Sequence, residues 1–206
     1  MSTAKKSKSA MQRNLMLAQL GVLSALIIVM TFVPYIGYIS YGWLSITLIH
    51  IPVIVGACVL GWQGGAILGG VWGLACIVKA ILQPPTPLEG ILFRNPLIAL
   101  LPRVLAGAAA GLVFLLVSKK DKRGHIATAL AAIAACLCNT TFVMGGIYLF
   151  YGEKYGAQLN INAISFGGLT NYILAAFGVN AVIEMAVGIA IAVPVVYALR
   201  KVKTRI

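Results

Sequence analysis

Acidic residues are nearly absent from this chain of 206 residues: Glu89, Asp121, Glu153 and Glu184 stand against sixteen lysines and arginines. Histidine is scarcer still, at His50 and His125. A catalytic centre needs a nucleophile with its base, or several metal ligands, converging on one point. Two histidines, one of them a loop residue, assemble neither. The four cysteines, Cys58, Cys76, Cys136 and Cys138, all lie in apolar runs. Their spacing suggests no metal site, and Cys136 and Cys138 face different ways on a helix, so apolar packing is their expected role. The glycine-rich run GWQGGAILGGVWG from Gly61 lacks the Gly-Lys-Ser/Thr ending of a phosphate-binding loop. No enzyme, metal, cofactor or nucleotide is expected from these residues.

What is present is hydrocarbon. Hydrophobic residues make up 61% of the chain and charged residues 10%, with a mean hydropathy of +0.98. That balance belongs to an integral membrane protein. At 1.5 Å rise per residue a span needs ~20 apolar residues. Six spans are expected, at about 14–33, 44–60, 62–83, 95–117, 126–150 and 168–198, forming one all-α membrane domain over residues 1–206. The lysines ahead of the first apolar run also fit a signal peptide. The run from Leu15 to Val33 exceeds a usual signal core and shows no small-x-small cleavage site, so it is read as a span.

A net charge of +12 suggests nucleic acid until its placement is considered. Lys5, Lys6, Lys8 and Arg13 precede the first span; Lys119, Lys120, Lys122 and Arg123 follow the fourth; Arg200, Lys201, Lys203 and Arg205 follow the sixth. Six crossings put all three clusters on one side, which the positive-inside rule makes the cytoplasm. Both termini are therefore expected inside, in the cell membrane. Two long connections fall on the other side: PPTPLEGILFR at 84–94, stiffened by prolines, and YGEKYGAQLNINAISFG at 151–167. Their length suits lids over a cavity open to that side.

Gly61, Gly65, Gly69 and Gly73 recur every four residues and define a smooth helix face. Packing inside the bundle and sliding against a partner both fit such a face. Gly21 and Ala25, four apart, make a similar patch on the first span with Ala18 and Ser24 nearby, open to packing within the bundle or docking of a partner.

Ionisable residues inside a span cost about 2.5–3.5 kcal/mol each at the helix centre. His50, Lys79, Arg103 and Glu184 are the ones to explain, with Asn139, Asn171 and Asn180 beside them. Asn95-Pro96 is a helix-start signature, since asparagine caps free donors and proline at the first position sacrifices none. Arg103 then lies about 12 Å below that start, and Asn139 roughly 14 to 16 Å below the end of the fifth span. The two share a depth. The same count puts Glu184 about 24 Å down, too far for a direct pair with Arg103; its depth and that of Asn180, one turn away on the same face, argue for a structural or coupling role more than for ligand contact. Arg103 is therefore expected to bind a ligand carboxylate. Pro102 leaves the carbonyl of Ile98 without its helical donor, tolerable only against polar groups, water or ligand. Asn171 and Tyr172, at the start of the sixth span, and Trp72 and Lys79, in the third, complete the candidate binding set with Asn95 and Asn139.

Taken in order, Ile49-His50-Ile51-Pro52-Val53, Gly64 to Gly69, Arg94-Asn95-Pro96 with Pro102-Arg103, Asn139-Thr140-Thr141 and Asn180 to Glu184 give nearly the whole chain a resemblance. It is similar to the substrate-binding S-component of energy-coupling factor (ECF) vitamin transporters, in the subgroup that includes pantothenate-specific proteins. The resemblance implies high-affinity capture of a small water-soluble vitamin from outside. It also implies a membrane coupling subunit and two cytoplasmic ATP-binding subunits as partners, with release inside by toppling. The family meets its coupling subunit through an alanine-x-x-x-alanine face on the first helix. Here that face reads Ala18 with Val22, or Gly21 with Ala25, a departure from the pattern. Pantothenate suits Arg103 through its carboxylate and suits Asn95 and Asn139 through its amide and hydroxyls. A thiamine-precursor pyrimidine, cobalamin, and a stand-alone ion-coupled carrier are the alternatives; the last usually shows inverted repeats, and none is evident.

Overall fold

The computed structural model describes the backbone of residues 2–41, 44–121, 123–158 and 166–203; the side chains of 2–10, 39–45, 88, 152–179 and 203 fall outside the described set. A long helix α1 (Ser2–Phe32) leads into an antiparallel hairpin, β1 (Tyr38–Tyr41) with β2 (Leu44–Thr47). Then follow α2 (His50–Leu82), the short α3 (Pro87–Leu92) and α4 (Pro96–Ala99), and α5 (Leu101–Val117), α6 (His125–Gln158) and α7 (Phe166–Lys203). Among the described residues five helical stretches are long and apolar enough to cross a membrane: Met11–Phe32, His50–Leu82, Pro96–Val117, His125–Tyr151 and Asn180–Val202. The fold is a helical membrane bundle with one hairpin inserted.

The hairpin replaces a helix start expected near residue 44. Tyr38 pairs with Thr47 and Ile39 with Ile46, and the run is rich in the aromatic and β-branched residues that favour strands. Pro52 explains where the helix begins instead. Proline is best accommodated in the first turn, and α2 starts at His50, two residues before it.

Within α2 the chain reverses at Gly61, whose φ of 83° and ψ of 179° break the helix. A Cβ on Gly65 would stand 2.7 Å from that of Ala57, whereas in a straight helix those residues are about 12 Å apart. Two antiparallel legs result, residues 50–60 and 62–82. Gly61 is thus the corner, not part of the glycine face. The remaining glycines realise the packing reading: Cβ atoms added at Gly65 and Gly69 would run into the backbone carbonyls of Gly107 and Arg103, and one at Gly73 would lie 2.7 Å from the Cα of Leu100. Backbone meets backbone along the α2–α5 seam, which holds the start of α5 in place.

Two apolar clusters complete the bundle. Ile51, Ile54 and Val55 of α2 pack with Ala106 and Ala110 of α5, Ala127, Ala131 and Ala135 of α6, and Val196 of α7. The alanines recur every four residues, giving each helix a flat side for close approach. Leu20 and Ile27 dock α1 onto Val53, Leu68 and Trp72 of α2. At the loop after α5, the Asp121 carboxylate accepts hydrogen bonds from the backbone N–H groups of Gly124 (2.9 Å) and Ala127 (3.0 Å), capping α6. These bonds, that to Ala127 foremost, hold its carboxyl below the usual carboxylate range.

Candidate ligand-binding site

Asn95 and Pro96 open α4 as their types dictate: the Asn95 carbonyl oxygen accepts from the Leu97 N–H at 3.0 Å. Pro102 lies in the first turn of α5 and has no N–H to offer Ile98. The Arg103 guanidinium supplies the missing donor, its Nη1 bonding the Ile98 carbonyl. One proline thereby fixes the arginine beside it.

Arg103 projects into a cavity of about 330 Å³ bounded by α2, α5, α6, α7, the hairpin and the connection carrying α3, at the lower end of ligand-pocket sizes. Its guanidinium lies between two aromatic faces, 5.3 Å from the Trp72 ring and 5.2 Å from the Phe93 ring. Such faces attract a cation without neutralising it. The residue is 6% exposed, its Nε has no partner, and it forms no ion pair among the described residues. A buried guanidinium with donors to spare suits an anion, and the Glu184 carboxylate of the same cavity acts on it electrostatically without forming an ion pair.

Trp72, Cys76 and Lys79 line the cavity from one face of α2, at the i, i+4, i+7 positions. Tyr38 of the hairpin sits over them. Its hydroxyl receives Trp72 Nε1–H at 3.5 Å and hydrogen-bonds the Cys76 thiol at 3.3 Å, while Lys79 Nζ stands 4.3 Å from its ring centre. Lys79 also donates to the Thr31 carbonyl at 2.8 Å, tying the end of α1 to the cavity wall. Thr86 and Glu89 line the cavity from the α2–α5 connection, where burial pushes the Glu89 carboxyl above the usual range against weaker opposition from Thr86 and Lys79.

Asn139 and Thr140 line it from α6, and Asn180 and Glu184, one turn apart, from α7. The Glu184 Oε1 accepts the Thr47 N–H at 2.7 Å, anchoring the end of the hairpin. The side-chain oxygens of Asn139 and Asn180 are buried without partners.

Of the candidate binding residues, the structure therefore brings Arg103, Asn139, Trp72 and Lys79 to one cavity. Asn95 is not among its lining residues and spends its oxygen on the cap. The side chains of Asn171 and Tyr172 lie outside the described residues. Asn180 and Glu184 are a correction: counted from the start of their helix they fell too deep for ligand contact, yet they share the cavity with Arg103. The count assumed that the helix enters the membrane where it begins. With 38 residues, α7 is about 57 Å long against a hydrocarbon core of ~30 Å, so its early turns need not be immersed. Tyr38 and Thr47 left no sequence signal, because only the hairpin carries them to the cavity. On α1, Ala18, Gly21, Val22 and Ala25 are all exposed, and a Cβ on Gly21 would meet nothing within 4 Å.

A helical membrane bundle enclosing a polar, aromatic-lined cavity, with a buried arginine in no ion pair among the described residues, defines a class: membrane proteins suited to binding a small polar molecule. The family model described as ECF transporter, substrate-specific component, matches residues 15–199, and the chain belongs to that family of multi-pass membrane proteins. It is 35% identical over 152 residues to the pantothenic acid transporter PanT of Lactococcus lactis subsp. cremoris (strain MG1363), covering 66% of this chain and 75% of that protein. It is 28% identical over 171 residues to the pantothenate transporter PanT of Leuconostoc mesenteroides subsp. mesenteroides, covering 80% and 82% respectively.

Proposed function

We propose that this chain is the pantothenate-binding subunit of an ECF-type importer. The observation that carries the reading is Arg103: buried, cradled by Trp72 and Phe93, free of any ion pair among the described residues, and facing a cavity of about 330 Å³. A carboxylate completes such a site with charge-assisted hydrogen bonds. Two relatives named as pantothenate transporters support the choice of acid. Lys79 adds a second cation, and Asn139 supplies a polar partner for the rest of the molecule.

The reversal at Gly61 supports six membrane legs in place of five, with 50–60 as a short one completed by the hairpin. The three basic clusters support cytoplasmic termini. The cavity then opens to the outside, beneath the 84–94 connection. ATP hydrolysis belongs to two separate cytoplasmic subunits, reached through a membrane coupling subunit. The exposed patch Ala18, Gly21, Val22 and Ala25 is the docking face, smooth enough for close helix approach, and release follows toppling of the docked bundle.

The test is direct. Purify the protein, identify any co-purified small molecule by mass spectrometry, and titrate the emptied protein with pantothenate. Saturable binding is expected; its absence at micromolar concentrations would refute the substrate.

A further inference from the structure

The unpartnered atoms in the cavity divide by chemistry. On the α5 side stands a donor, the Arg103 Nε; on the α6 and α7 sides stand two acceptors, the carboxamide oxygens of Asn139 and Asn180. Asn180 is 8% exposed and lines the cavity, one helical turn from Glu184, whose carboxylate is taken by the Thr47 N–H at 2.7 Å. A buried acceptor without a donor costs the empty protein free energy. Among the described residues no group supplies that donor, so in the bound state the ligand must.

We propose that Asn180 is a specificity-determining residue that accepts a hydrogen bond from a ligand hydroxyl, in the same cavity as the Arg103 guanidinium that holds the carboxylate. The inference rests on the pantothenate reading and assigns a partner to its hydroxyls. Asn139, from α6, offers a second unpartnered carboxamide oxygen in the same cavity. The ligand class is therefore a carboxylate that also carries hydroxyl donors. A plain fatty or dicarboxylic acid would leave the Asn180 oxygen buried and unpaired, and such a site rejects analogues that lack the donor.

Asn180→Ala is compared with the wild type by calorimetric titration with pantothenate and with its analogue lacking both hydroxyls. Thermal midpoints of the empty proteins are measured alongside. The variant is expected to bind pantothenate about tenfold more weakly and to bind the analogue as well as the wild type does. Its empty-state midpoint should hold, because the Asn180 oxygen makes no hydrogen bond among the described residues to lose. A structural asparagine would give the reverse, with a lowered midpoint and equal loss for both ligands, and would overturn the proposal. Pantothenate binding unchanged in the variant overturns this proposal alone, whereas no binding by the wild type overturns the substrate reading with it. Asn180→Leu, which keeps the volume, guards against a collapsed cavity. Misfolding of both variants would also refute a ligand-reserved oxygen.

Discussion

Replacing Arg103 by methionine separates its two attachments. In the empty protein the guanidinium serves the Ile98 carbonyl and lies against the rings of Trp72 and Phe93. Losing the hydrogen bond leaves a buried acceptor, a cost of about 1–3 kcal/mol, and losing two cation–ring contacts adds about 0.5–1 kcal/mol each. Against this, an unpaired charge leaves the membrane interior, worth about 2.5–3.5 kcal/mol on insertion scales. The terms nearly cancel, so Arg103→Met is expected to insert, fold and unfold near the wild-type temperature. Binding has no such compensation. Removing one partner of a buried, hydrogen-bonded charge pair costs about 2–5 kcal/mol, which raises Kd roughly 30-fold to several thousand-fold. The assay is calorimetric titration of both proteins with pantothenate and with the alcohol formed by reducing its carboxylate. The wild type should prefer the acid strongly, and the variant should bind both compounds equally, near the wild-type affinity for the alcohol. Equal losses for acid and alcohol would show that Arg103 shapes the cavity without meeting the carboxylate.

Gly69→Ala drives a Cβ into the Arg103 carbonyl; overpacking costs about 1–3 kcal/mol, and detergent unfolding should show that loss together with weaker binding, as the start of α5 shifts. Gly61→Ala meets no atom within 4 Å but must adopt a φ of 83° with a ψ of 179°, a glycine-only conformation, so it should cost about 1–3 kcal/mol of backbone strain with affinity unchanged. Asp121 has a depressed carboxyl pKa, so its contribution is present above the unfolded value near 3.9 and is lost as pH falls through the lower folded value. Asp121→Asn should accordingly flatten the decline of thermal midpoint below about pH 4, and an unchanged acid limb would show that the cap is dispensable.

Local chemistry carried a good deal of the site. Asn95-Pro96 announced a helix start because the cap and the missing N–H act within a few residues. Pro102 announced an orphan carbonyl at Ile98 for the same reason, and the donor proved to be the adjacent arginine. The common depth of Arg103 and Asn139 followed from a constant rise per residue. Depth counting failed for Asn180 and Glu184 because it needs to know where a helix enters the membrane, and α7 is far longer than the core is thick. A four-residue glycine period identified a close-packed face but not that its first member, Gly61, turns the chain, since φ depends on what the two legs meet.

The sequence by itself determined that this chain is a helical membrane protein, with basic clusters expected on one side and a costly arginine that demands a partner. Hydropathy, charge placement and proline chemistry are properties of short stretches. Only the tertiary structure decided that the partner is the Ile98 carbonyl and two aromatic faces, that the α2 glycines clasp α5, and that Tyr38, Asn180 and Glu184 join Arg103 around one cavity. Those residues lie up to 146 positions apart, between Tyr38 and Glu184, and no local rule measures the distance between them; packing of whole helices does.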